Sequence, residues 1–330
     1  MKRREFIGSL VGGVALWPLP APAQQADRLR LIGVLVLGTR GKLYDQQRAA
    51  LDKTLLELGW IEGKNLRVEY RWAASDAAQI SKFARELLSL TPDVILALGT
   101  QTVEAFQRET KQTPIVFVSV TDPVRSGLVA SLAHPGGNIT GFSNFEPTLV
   151  GKHLDMLKEL IPDITAVVVL SNPDNPARFI THPLYEAAAR YHGVQLTFAP
   201  ARSASEITTV ISNLGEKPTT GLIVAGDPFF GSGNNLALVV SLAMRNRVRA
   251  VYSFRHFVEA GGLISYGNDL VDQYRQAAIY IDRILRGATP SDLPVQAPSK
   301  FEMVVNLKTA KAMDITIPPT LLARADDVIE

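Results

Sequence analysis

Residues 93–123 read "DVILALGTQTVEAFQRETKQTPIVFVSVTDP". Two near-continuous apolar runs, "DVILALG" (93–99) and "PIVFVSV" (114–120), bracket "TQTVEAFQRET", whose apolar residues recur at spacings of three and four. An apolar run without alternation marks a strand covered on both faces, and a helical period between two such runs makes a right-handed βαβ unit. Upstream the same unit recurs: "RLIGVLV" (30–36) and "NLRVEYRW" (65–72) are separated and followed by the helical segments "YDQQRAALDKTLLELG" and "DAAQISKFARELLSL". Downstream, a Gly- and Asn-rich loop, "AHPGGNITGFSNFEP" (133–147), interrupts the rhythm. The alternation then resumes with "AVVVLSN" (166–172), "VQLTFAP" (194–200), "GLIVAGD" (221–227) and "RAVYSF" (249–254). The fold class is therefore α/β, with two similar lobes built on parallel sheets and joined by a Gly-rich hinge. After "GLISYG" (262–267) come a helical stretch, a Pro-rich linker, a last strand "FEMVVN" and a tail whose placement the pattern does not assign.

The first residues, "MKRREFIGSLVGGVALWPLPAPAQQ", suit no compact fold. Lys2, Arg3 and Arg4 form a positive n-region, Phe6 to Leu19 an apolar h-region, and Ala21-Pro22-Ala23 a small-residue cleavage site. Residues 1–23 are expected to be an export signal, and Arg3-Arg4-Glu5-Phe6-Ile7 follows the twin-arginine order. Without them the 330-residue chain keeps 31 basic and 31 acidic residues, a balance that speaks for no nucleic-acid or anionic-membrane partner. The chain has no cysteine, which excludes disulfides and a lipid anchor built on cysteine. A freely diffusing periplasmic protein is expected.

Ligands of open parallel sheets lie beyond the carboxyl ends of the strands. That rule selects "GTQT" (99–102), "SVTDP" (119–123), "SNPDNP" (171–176), "GDPFFGSG" (226–233) and "SYGND" (265–269). Thr100 and Thr121 stand where a hydroxyl and free helix N–H groups hold a carboxylate, or where a Thr simply caps its helix. Asp122 and Asp227 each follow a strand and could pair with an ammonium, or could serve as turn residues before Pro123 and Pro228. Phe145, Phe229, Phe230, Phe254 and Tyr266 offer rings for an apolar side chain, with Phe254 and Phe257 assigned to the core. Arg40, just after the first strand, rivals the threonines for the carboxylate, as does Arg255.

Enzyme templates fail. His134, His153, His182, His192 and His256 show no metal spacing, and no G-x-S-x-G elbow occurs. "GSGNNL" lacks the third glycine of a dinucleotide fingerprint, and "LGTRGKL" is preceded by Val36 where a phosphate loop needs glycine. No cofactor is called for, and the strand-end groups suit binding rather than turnover.

"ELGWIEGKNLRVEYRWA", "PIVFVSVTDPVRSGLVASLAHPGGNITGFSN", "FVEAGGLISYG" and "NLKTAKAMDITIPPTLLARADDVIE" closely resemble the ABC-transporter substrate-binding proteins of the tryptophan-and-tyrosine-binding-like family. The resemblance implies a type I periplasmic binding fold, two Rossmann-like lobes with parallel sheets joined by a hinge, with several crossovers between lobes. It puts the first lobe at 27–145 plus about 269–290, and the second at 146–268 plus about 291–330. It also implies that Thr100 and Thr121 hold an α-carboxylate and Asp227 an α-ammonium, with Asn172 and Ser265 nearby. The candidate ligand-binding set is Thr100, Gln101, Thr121, Asp122, Asn172, Asp227, Phe229, Ser265 and Tyr266. The expected role is a monomeric, non-enzymatic receptor that closes on a small carboxylate, an aromatic amino acid or aromatic acid, and delivers it to ABC permease and ATPase subunits. A sensor that presents ligand to a membrane kinase or chemoreceptor is the alternative on the same fold.

Overall fold

Arg30–Val36 (β1) shows why its sequence lacks alternation. Ile32, Val34 and Val36 pack into one core, whereas Leu35 and Leu37 pack into another on the opposite face. The computed structural model describes residues 28–330 apart from residue 216, so the expected leader lies outside the described residues. After β1 come α1 (Lys42–Glu57), β2 (Leu66–Trp72), α2 (Ala77–Ser89), β3 (Val94–Leu98), α3 (Thr100–Glu109), β4 (Ile115–Val120) and β5 (Ile139–Ser143). Their strands form one parallel sheet in the order β2-β1-β3-β4-β5. Asp76 starts α2 by accepting the N–H groups of Ala78 and Gln79. Ile80, Ala84 and Leu87 of α2 and Phe106 of α3 cover one face; Leu51 and Leu55 of α1 cover the other. Each large apolar side chain so buried contributes about 1.5–3 kcal/mol.

The second sheet follows from α4 (Thr148–Leu160), β6 (Ala166–Ser171), α5 (Arg178–His192), β7 (Gln195–Pro200), α6 (Ala204–Ser212), β8 (Thr220–Val224), α7 (Pro228–Gly231), α8 (Gly233–Arg245), β9 (Ala250–Tyr252), α9 (Arg255–Glu259) and β10 (Ile264–Asn268). The chain then returns to the first lobe with α10 (Leu270–Leu285), whose Tyr274, Ala277 and Ile281 join the core under α1. It ends in the second lobe with β11 (Phe301–Asn306), α11 (Leu307–Ala312), α12 (Pro319–Leu322) and β12 (Asp327–Ile329). The strand order is β12-β11-β10-β9-β8-β6-β7. The chain thus crosses between lobes at 144–147, at Asp269 and again between Gln296 and Phe301.

Three features depart from the sequence reading. The second sheet is not wholly parallel, because β11 runs antiparallel to β10. The stretch read as a hinge loop contains a buried strand, β5, parallel to β4. Gly141 makes that pairing possible: its φ is 152°, and a Cβ there would sit 2.1 Å from the carbonyl oxygen of Phe117. Finally, the last crossing comes later than about 291. Gln296 donates its N–H to Gly141 O and accepts the N–H of Ser143, so this segment still borders the first sheet. Among the described residues no helix is long and apolar enough to cross a membrane.

Candidate functional site

The carboxyl ends of both sheets face one cleft, which divides into two adjoining chambers of about 740 and 680 Å³, mouths included. Thr121, Asn144, Asn175, Gly226, Asp227 and Phe254 line both and form the junction. The smaller chamber runs under α1 in the first lobe; the larger reaches under α4 and α5 in the second.

Thr100 opens α3 directly after Gly99, whose φ of 86° lets the chain turn sharply from β3 into the helix. Among the described residues no side chain caps α3, and Gly99, Thr100 and Gln101 at its start line the smaller chamber, where the helix dipole is positive. Gln101 reaches across the cleft, its Nε2 donating to the carbonyl oxygen of Asp174 at 3.2 Å. Thr121 donates its hydroxyl to Asn144 Oδ1 at 3.4 Å. Asn172 lines the larger chamber, and its Oδ1 accepts the N–H of Asp174.

Asp227 is the chief electrostatic feature. It is 6 % exposed and pairs with no cation among the described residues. Oδ1 accepts the Phe229 N–H at 2.7 Å and Oδ2 accepts Asn175 Nδ2 at 2.7 Å. Burial pushes its pKa above the usual carboxylate value, against the pull of hydrogen bonds from Asn175, the Phe229 backbone and Asn172. An acid held this way is neutralised either by a proton or by a cation brought into the cleft.

The cleft thus gathers Thr100, Gln101, Thr121, Asn172 and Asp227. The other four candidates lie elsewhere. Asp122, at φ 40°, accepts the Arg125 N–H at 3.0 Å and so closes a turn before Pro123. Phe229 turns its ring into the second-lobe core against Phe230, at 5.3 Å. Ser265 is fully buried within β10, and Tyr266 lies in a separate groove with Phe301, under the ammonium of Lys152. Phe254, expected in the core, packs partly buried against the second-lobe core and also lines both chambers.

The cationic rivals are also engaged elsewhere. Arg40 stacks over Trp72 at 4.2 Å, and Arg255 pairs with Glu259, Glu302 and Asp327. The guanidinium that does line the cleft is Arg178, anchored through Nε to Pro173 O at 2.9 Å. The reading also missed Tyr44 and Gln47 of α1 and His182 of α5. A signal for Gln47 existed: it is an amide on the same helical stripe as Leu51 and Leu55. His256 borders the smaller chamber, and burial lowers its pKa to about 4, so it is neutral there.

The lobes touch across the mouth of the cleft. Besides Gln101 and Asp174, Lys42 Nζ meets Glu259 Oε2 at 3.0 Å. The architecture is that of the type I periplasmic binding proteins. A tyrosine-binding protein of Clostridioides difficile (strain R20291) is 28% identical over 277 residues, covering 82% of this chain and 77% of that protein. Two solved structures, each 25% identical over 91% of this chain and 99% of theirs, differ in how well they superpose. A Streptococcus pneumonia ABC domain in complex with L-Trp gives a TM-score of 0.82. The ligand-free, open CD0873 of Clostridium difficile, a substrate-binding protein with adhesive properties, gives 0.66. At equal identity, this chain's lobes match the liganded relative better than the open one. The model of the ABC transporter substrate binding proteins matches residues 32–329, nearly the whole chain, and the chain belongs to that family, whose members bind solutes and are not enzymes.

Proposed function

We propose that this substrate-binding component is the periplasmic receptor of an importer and closes on a free aromatic amino acid. The observation that carries the reading is Asp227, a buried carboxylate at the junction of both chambers with no cation partner among the described residues. A ligand ammonium completes it, with Asn175 and Asn172 holding the acid in place. The α-carboxylate lies across the cleft, on Thr100, Thr121 and the uncapped start of α3. Because the acid belongs to the second lobe and the threonines to the first, the zwitterion joins the lobes, and contacts made only when they are shut favour closure. The tyrosine-binding and L-Trp-bound relatives support an aromatic side chain.

In this reading residues 1–23 direct export, a monomer diffuses in the periplasm, and the closed form docks on a permease driven by an ATPase. N-terminal sequencing of protein from a periplasmic fraction is expected to begin near Gln24; retention of the leader would count against export. The ligand is tested by thermal shift against amino acids, aromatic acids, sugars and short-chain acids. A ligand at a hundredfold excess over Kd adds about 2.7 kcal/mol to the folded state. A rise in Tm with tyrosine or tryptophan supports the reading; silence there with a response to sugars would remove the amino-acid assignment and leave the receptor.

A further inference from the structure

Gln47 sits on the buried stripe of α1 with Leu51 and Leu55, at 3 % exposure. Its neighbours on that stripe are apolar, yet its side chain ends in an amide that lines the smaller chamber. Oε1 is buried and has no hydrogen-bond partner among the described residues. Leaving a buried amide unpaired is unfavourable, so a well-built core would not keep one without a use. The walls leading to it are apolar: Leu37, Leu43, Tyr44, Leu98 and Leu270. Beside this chamber Ser119 is paired, donating to Gln273 Oε1 at 3.2 Å, and Gln273 donates to Ser143 O at 3.0 Å. Among the described residues His256 Nε2 is a second buried side-chain atom lining this chamber without a partner.

The larger chamber is different. There Ser171 bonds His182 at 2.9 Å, and His153 bonds the carbonyl oxygen of Tyr266 at 2.8 Å and lies 3.4 Å from the Tyr185 hydroxyl. These deep ring and hydroxyl groups are paired with one another or with backbone. The smaller chamber combines apolar walls with an unsatisfied amide oxygen.

Resting on the amino-acid reading above, we infer that Gln47 is a specificity-determining residue, selecting aromatic side chains that carry a hydrogen-bonding tip over those that carry none. A phenol suits it best. The amide can turn either its oxygen or its NH2 group to the ligand, and a hydroxyl both donates and accepts. An indole N–H can only donate, so it requires the oxygen. Phenylalanine fills the same volume and leaves the amide unpaired, which is the situation in which a polar site discriminates strongly.

The test is calorimetric titration of L-tyrosine and L-phenylalanine into the wild-type protein, Gln47→Leu and Gln47→Met, with Tm recorded for each. Wild type is expected to prefer tyrosine by about tenfold or more, and both variants to bring the two Kd values within about threefold of each other. That convergence should come from weaker tyrosine and stronger phenylalanine binding at unchanged or higher Tm, because an unpaired amide has been replaced by an apolar group. An unchanged ratio, or a parallel loss of both ligands, overturns the role of Gln47. Failure of wild type to bind L-tyrosine, L-phenylalanine or L-tryptophan overturns the amino-acid reading itself, which distinguishes the two.

Discussion

Asp227 shows how one residue can be named from sequence and understood only in place. Its position after β8 and before Pro228 was visible, and so was the turn role, since it caps α7 through the Phe229 N–H. The turn uses only Oδ1, and Oδ2 accepts Asn175 Nδ2 at the junction of the two chambers. Asp122 has a similar sequence context, yet a turn is all it makes, because its backbone sits at φ 40° and points the acid back to Arg125. The raised pKa of Asp227 fixes the sign of its pH dependence. An acid whose folded-state pKa is raised binds its proton more tightly when folded. The ligand-free protein therefore gains stability from this group as pH falls from the raised value towards the ordinary carboxylate value of about 3.9. Ligand affinity moves the other way, declining over the same descent, because a neutral acid attracts no ammonium. Asp227→Asn is expected to weaken amino-acid binding by at least about 100-fold at neutral pH, to abolish that pH dependence and to leave the ligand-free Tm unlowered. Titrations of both proteins across mildly acidic pH check this; equal affinity in the variant would remove Asp227 from the site.

At the scale of elements, the strands that were legible are those whose side chains do the packing. β1, β3 and β4 read as apolar runs because helices cover both faces of their sheet. β5, "ITGFS", was hidden by glycine, which has low strand propensity and in most loops signals a turn. Here the glycine is a strand residue because β4 passes too close for any Cβ. Gly141→Ala is accordingly expected to destabilise the protein by about 2–4 kcal/mol, measured by denaturant unfolding. A loss below about 0.5 kcal/mol would mean that β4 and β5 have room to separate. Because β5 leads straight into the first crossing between lobes, the same change should also weaken ligand binding.

The whole molecule adds what neither residues nor elements contain: two sheets whose carboxyl ends meet. Closure is held outside the ligand site by Gln101 on the Asp174 carbonyl and by the Lys42–Glu259 pair. The lysine is 73 % exposed, so the pair is weak, within the 0–1 kcal/mol of surface ion pairs. Lys42→Ala is expected to lower ligand affinity about two- to threefold by favouring the open form, and the loss should vanish at high salt. Small-angle scattering of the ligand-free variant should show a larger radius of gyration than wild type. An unchanged affinity at low salt would mean that this pair does not contribute to closure.

The sequence by itself determined the two α/β lobes, the strand-end loops that carry the polar groups, and the absence of disulfides, because periodicity, loop chemistry and residue counts are local properties. It also pointed to the family through blocks spread over nearly the whole chain. Only the tertiary structure decided which strand-end residues share a cleft. Ser265 and Tyr266 sit at the end of a strand as surely as Asp227 does, but β10 turns one into the core and the other into a different groove. Tyr44 and Gln47 belong to a helix, and their place in the cleft comes from the packing of α1 against α10, an element more than 200 residues away in the chain. Such contacts depend on how lobes and crossovers meet in space, and no local pattern encodes them.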